Sequence, residues 1–157
     1  MKPKTKKILT YAISIAIALA VGGISALVNA GKMSDVAPIQ PPLSPPAWLF
    51  PIVWTILFTL MGISSARVYM SACPGRSDAL FVYVVQLIVN FLWTVFYFSF
   101  RAFALSFIWL LFLLLLVILM DVRFERCSSG AGKLQLPYTL WLCFAAYLNL
   151  ATWLLNR

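Results

Sequence analysis

The chain has 157 residues, 63% of them hydrophobic and 10% charged, with twelve bases, four acids and no histidine. That composition is too apolar for a soluble domain of this size, and the net charge of +8 is spread between uncharged runs, which fits membrane topology rather than nucleic-acid binding. Without histidine the commonest general base and metal ligand is missing. With no Asp or Glu in the middle of any apolar run, ion-coupled pumping and ordinary hydrolytic chemistry are disfavoured as well.

Lys7 and Lys32, Asp35 and Arg67, Asp78 and Arg101, Arg101 and Asp121, and Lys133 and Arg157 bracket five uncharged runs. Each holds about 19 or more residues suited to a helix, close to the ~20 that cross a bilayer. The pattern predicts an all-α integral membrane protein, a five-transmembrane-helix bundle in one domain over residues 1–157, with helices near 8–28, 47–66, 79–100, 102–120 and 135–156. A signal peptide over residues 1–30 is the competing reading of the first run, with its basic start and small Ala30. The run exceeds the ~7–15 apolar residues usual in such a segment, so it is expected to stay in the mature protein.

Helix 1 carries small residues in two stripes, Ala12, Ala16, Ala20 and Gly23, and Ala18, Gly22 and Ala26. Small residues four apart let another helix approach closely, inside the bundle or across a dimer. The loop 29–46 follows, and its Pro41, Pro42, Pro45 and Pro46 fix φ and push the preceding residues toward extended geometry. The loop is therefore shaped before anything binds, and Trp48 and Trp54 follow it on helix 2. Trp54, Phe58, Met61 and Ser65 share one face of that helix, and Pro51 lies in its first turns.

Helix 3 places Gln86, Asn90, Trp93 and Tyr97 on one side. Two amides in the bilayer need partners, from other helices or from a ligand. Helix 4 is nearly pure Leu, Phe and Ile from Phe107 to Met120 and reads as mainly lipid contact, with Trp109 in packing or facing lipid. Helix 5 opens on Pro137 and carries Tyr138, Trp141, Ala145 and Asn149 at spacings of three and four. Tyr138 reads as an interfacial belt residue. Cys73, Cys127 and Cys143 read as singletons without metal-ligand spacing, and Cys73-Pro74 as a loop cysteine before a turn.

Lys2, Lys4, Lys6, Lys7, Arg76, Arg123, Arg126 and Lys133 fall on one side of the predicted bundle, with Arg67 beside them, against Lys32, Arg101 and Arg157 on the other. The positive-inside rule then places the N-terminus in the cytoplasm, and the proline loop and C-terminus outside.

The segments LSPPAWLFPIVWTILFTLMG, QLIVNFLW and PYTLWLCFAAYLN resemble, in order, helices 2, 3 and 5 of the translocator protein family, the tryptophan-rich sensory proteins (TspO/MBR). The resemblance covers essentially the whole chain and is that of a bacterial-type member, so it implies residence in a bacterial cell membrane. It implies a five-helix bundle, usually a homodimer, that binds porphyrins such as protoporphyrin IX or haem-type tetrapyrroles beneath the helix 1–2 loop, with sterols and lipids as further family ligands. No cofactor or metal is required, and nucleic acid is not an expected partner. Pro45, Pro46, Trp54, Asn90, Trp93, Trp141 and Asn149 fall on family motif positions. Together with Trp48, Phe58, Tyr97 and Ala145 they form the expected ligand-binding set. Some bacterial members degrade porphyrin in light, and the two tryptophans implicated there match Trp54 and Trp141. The chain departs from the family pattern at Leu43, where a tryptophan is frequent, at Phe58 for a tyrosine, at Trp109 for an acid, and at Leu150 and Leu154 within the animal sterol motif.

Overall fold

A computed structural model describes residues 3–32 and 36–157; Lys2 and Asp35, both part of the charge pattern above, lie outside the described residues. Five α-helices run in sequence: α1 Pro3–Val28, α2 Leu49–Met70, α3 Arg76–Thr94, α4 Phe103–Cys127 and α5 Leu136–Leu155. A π-helical turn, Val95–Ser99, extends α3, and a 3-10 turn, Lys133–Gln135, leads into α5. Each of the five is long and apolar enough to cross a membrane. The protein is an all-α integral membrane bundle.

The helix limits differ from the charge boundaries for a physical reason. Charges bound the membrane, whereas Lys, Arg and Glu are good helix formers and continue the backbone into water. Thus α1 begins before its lysines, and α4 runs past Asp121 to Cys127. Helix α2 starts at Leu49, after Pro45 and Pro46, and continues to Met70. Pro51 lies in its first turn, where a missing N–H removes no helical bond. Pro137 occupies the equivalent place in α5.

Helix α1 packs on α2, α3 on α4, and α4 on α5. Only Ala18 and Ser25 of α1 are buried. Its approach to α2 is made at glycine: a side chain at Gly62 would meet the backbone of Ile15, and one at Gly22 would meet the Phe58 ring. The stripe through Ala18 and Gly22 is therefore the α2 contact, while Ala12, Ala16, Ala20 and Gly23 remain exposed. The loop end of α1 is tied to α3 by Asn29, whose Nδ2 donates to Thr94 Oγ1 at 3.1 Å and whose Oδ1 accepts from Ser99 Oγ at 2.9 Å.

Helix α4 keeps a broad exposed face, with Ile108, Leu111, Phe112, Leu115 and Leu119 exposed as lipid contact requires, and buries Leu110, Leu113, Val117, Met120 and Phe124 along the other. Its two faces have the same composition, so only packing separates them. Cys73 and Cys127 are not singletons. The α2–α3 loop and the end of α4 bring their Cα atoms to 5.0 Å, and the two form a disulfide, within the span such bonds require. Cys143 is free and exposed.

Candidate functional site: an aromatic seam between α2 and α5

The backbones of α2 and α5 stay apart and meet chiefly through rings. Phe50 lies edge-on to Trp141, with centroids 5.9 Å apart, and Trp54 lies edge-on to Tyr138 at 6.1 Å. Higher on α5, the partners come from the loop instead of α2. Tyr147 donates its hydroxyl to Pro42 O at 3.0 Å. Asn156 accepts from Ile39 N at 3.0 Å and donates to Ile39 O at 2.9 Å. Residues 39, 42, 50 and 54 thus descend α5 past residues 156, 147, 141 and 138. Tyr147 sits roughly 12 Å below the end of α5 at about 1.5 Å per residue. The proline loop therefore occupies the place that a longer α2 would fill, running down beside α5.

Extended backbone at such depth must have its polar groups satisfied. The four prolines carry no N–H to satisfy. Ser44 donates its N–H and its hydroxyl to Pro41 O, at 3.3 and 2.8 Å, and Tyr147 and Asn156 take care of Pro42 and Ile39. Leu43 adopts φ of 65° and is exposed, so the family-variant position lies at the tip of this turn.

Below the loop the rings are contiguous. Trp54 is 5.5 Å from Phe58 and 6.3 Å from Trp93, and Trp93 stacks on Tyr97 at 5.8 Å. The Trp93 indole donates to Asn149 Oδ1 at 3.1 Å, while Asn149 Nδ2 donates to Phe103 O at 3.0 Å, joining α3, α4 and α5. Tyr97 is hydrogen-bonded to Thr152 at 3.0 Å. The Tyr138 hydroxyl donates to Gln86 Oε1 at 3.0 Å. Tyr138 is thus a buried member of the seam rather than an interfacial belt residue. Asn90 Oδ1 and Gln86 Nε2 are buried without a hydrogen-bond partner.

The structure brings Trp54, Phe58, Trp93 and Tyr97 into one cluster. Asn149 bonds to its Trp93, and Trp141 lies in the seam against Phe50. Asn90 is buried on the Trp93 side of α3, and Ala145 is buried on α5. Pro45 is half-buried and Pro46 exposed. Trp48 is 65% exposed and stands apart from these ring contacts. Trp109 donates to Val89 O at 2.9 Å and packs edge-on against Phe96, which seats it between α3 and α4. Sequence reasoning missed Phe50 as an α2-to-α5 partner and Tyr147 and Asn156 as loop-to-α5 partners. Nothing in the local pattern pairs Asn156 with a residue 117 positions away.

An apolar groove of about 350 Å³ opens along the seam, lined by Val53, Ile56, Leu57, Pro137, Leu140, Trp141 and Phe144. Its volume is at the lower end of the ~300–1,000 Å³ usual for small-molecule sites. Among the described residues no group of three His, Cys, Asp or Glu side chains is placed to hold a metal ion. The seam offers ring faces and apolar surface, and the lining of its groove carries no ionisable side chain.

A family model described as the TspO/MBR family matches residues 14–154. The chain is 32% identical over 155 residues to "Tryptophan-rich protein TspO" of Chlorobaculum tepidum, covering 96% of this chain and 98% of that one. It is 32% identical over 148 residues to "Protein CrtK" of Rhodobacter capsulatus, covering 93% and 92%. It is also 30% identical over 121 residues to "Translocator protein" of Ovis aries, covering 75% and 72%.

Proposed function

The chain belongs to the TspO/MBR family, and from that premise we propose that it is a membrane receptor or carrier that binds porphyrins between α2 and α5. The supporting observation is the seam itself, where two helices are held apart by Trp54, Tyr138, Phe50 and Trp141 with an apolar groove beside them. A planar ligand entering there exchanges ring–ring contacts within the protein for ring–ligand contacts of the same kind. Aromatic contacts contribute roughly 0.5–1.5 kcal/mol each beyond area burial, so several rings hold a flat ligand without a coordinate bond. Asn90 Oδ1 and Gln86 Nε2 supply polar partners. In this reading Pro45, Pro46 and Trp48 belong to the loop side of the site, and Phe58, Trp93, Tyr97, Ala145 and Asn149 to its walls. The bundle is one domain over residues 1–157, with the N-terminus in the cytoplasm of a bacterial cell and the loop outside, so the Cys73–Cys127 pair faces the reducing side and closes its disulfide only under oxidising conditions. It pairs as a homodimer through the exposed stripe Ala12, Ala16, Ala20 and Gly23.

Titration of the purified protein with protoporphyrin IX tests binding. Saturable quenching of tryptophan fluorescence at micromolar ligand is expected, weakened in Trp141→Phe. Quenching that rises without saturation sinks the proposal.

The contiguous rings also favour a second reading, light-dependent porphyrin degradation, in which Trp54 and Trp141 exchange electrons with an excited porphyrin. Illumination separates the two. Porphyrin bleaching that is lost in Trp54→Phe and Trp141→Phe supports the enzyme, and equal bleaching in all samples leaves a binder.

A further inference from the structure

At the end of the bundle opposite the proline loop, a groove of about 790 Å³ runs between the first turns of α1 and the last turns of α2. Lys6, Lys7, Arg67 and Arg76 line it, and hydroxyls are contributed by Thr10, Tyr11, Tyr69, Ser71 and Ser128. No acid is among its lining residues. Asp78, in the first turn of α3, is not among the lining residues, and the two acids of the α4 end are engaged elsewhere. Glu125 accepts the N–H groups of Gly130 and Gly132, at 2.9 and 3.1 Å, and Asp121 accepts from Thr139 at 2.7 Å. Four cations therefore face one groove without an anion inside it.

Two of those cations are held in position. Arg67 Nη2 donates to Ser129 O at 2.6 Å. Arg76 Nη1 donates to Tyr69 O at 3.2 Å, and its guanidinium lies 5.9 Å from the centre of the Tyr69 ring. Each guanidinium has five N–H donors, so most remain for a ligand. A positioned fork of donors suits phosphate oxygens.

The groove also has an apolar side. Tyr69 and Met70, at the end of α2, line it and are exposed at 56% and 38%. Lys6 and Lys7 begin the first apolar run and Arg67 ends the second, which sets the basic residues at headgroup level. Basic pockets between helices at that level attract anionic headgroups. A soluble phosphate would use the cations and leave the apolar margin uncovered, whereas a phospholipid uses both.

We propose that this groove binds one anionic phospholipid, its phosphate between Lys6, Lys7, Arg67 and Arg76 and its acyl chains along Tyr69 and Met70. The site is separate from the α2–α5 seam and does not depend on porphyrin binding.

Native mass spectrometry of the full chain in detergent, titrated with phosphatidylglycerol or phosphatidylcholine, tests it. One phosphatidylglycerol is expected to be retained in preference to phosphatidylcholine. Lys7→Gln/Arg76→Gln should weaken retention roughly 30-fold, the effect of removing two bases near an anionic surface. Lys6→Gln/Lys7→Gln, which leaves every hydrogen bond of Arg76 intact, should do the same and guards against misfolding of the first variant. Arg126→Gln removes a charge outside the groove and should leave retention unchanged. Equal retention of the two lipids, or an equal loss in Arg126→Gln, overturns the proposal. Displacement of the lipid by millimolar inorganic phosphate that itself binds would assign the groove to a soluble anion and overturn it too.

Discussion

Asn156, just past the end of α5, holds both the N–H and the C=O of Ile39 with one side-chain amide, at 3.0 and 2.9 Å. The same Nδ2 also donates to Thr152 O at 2.8 Å. The residue ends its own helix and anchors the loop that replaces the upper part of α2. With Tyr147 on Pro42, it sets the position of the loop along α5.

Replacing that amide should loosen the loop without unfolding the bundle. Asn156→Ala removes two bonds to an exposed segment, a local loss of about 1 kcal/mol. Hydrogen exchange at the Ile39 amide should accelerate about fivefold, with the melting temperature little changed. Unchanged exchange at Ile39 would mean that the prolines alone hold the loop.

Asn149 is a different case, because its partners are buried. Asn149→Leu leaves the Trp93 indole N–H and Phe103 O without their partner, and should cost about 1–3 kcal/mol. Trp93→Phe should then be less damaging in the Asn149→Leu background than alone. A double-mutant cycle in detergent measures this coupling, and strict additivity would count against the bond.

The contact between α1 and α2 depends on particular glycines. Gly62→Ala drives a methyl into the Ile15 backbone, which cannot yield as a flexible side chain does. A loss of roughly 1–3 kcal/mol is expected, typical of overpacking. Gly23→Ala meets nothing within 4 Å inside the protomer and should leave the stability of the detergent-solubilised monomer unchanged or slightly raised. Thermal unfolding of the two variants side by side checks this, and equal melting temperatures would refute it.

The disulfide makes a prediction by counting. After denaturation without reductant, maleimide should label one cysteine, Cys143, and after reduction three. Three labels before reduction would show Cys73 and Cys127 unpaired in the purified protein.

Much of the site was legible because membrane helices expose their logic in composition. Trp54 with Phe58, and Trp93 with Tyr97, lie one helical turn apart, so their shared faces follow from helix geometry alone. The need of Asn149 for a partner followed from its polarity in lipid, although the choice of Trp93 did not. Tyr138 was on the same helical face as Trp141 and Asn149, yet its burial was not legible. A tyrosine near a helix start suits both an interfacial belt and a hydrogen bond to Gln86.

The sequence by itself determined the number of spans, their approximate limits and the stiffness of the proline loop. These depend on hydropathy, charge and φ restriction, all local properties of the chain. Tertiary structure alone decided that α4 buries one of two chemically equal faces, that Cys73 meets Cys127, and that the loop descends along α5 to Tyr147 and Asn156. Each of those depends on packing between segments far apart in the chain. A local pattern states what a segment needs to bury or bond, and only the assembled bundle supplies the partner.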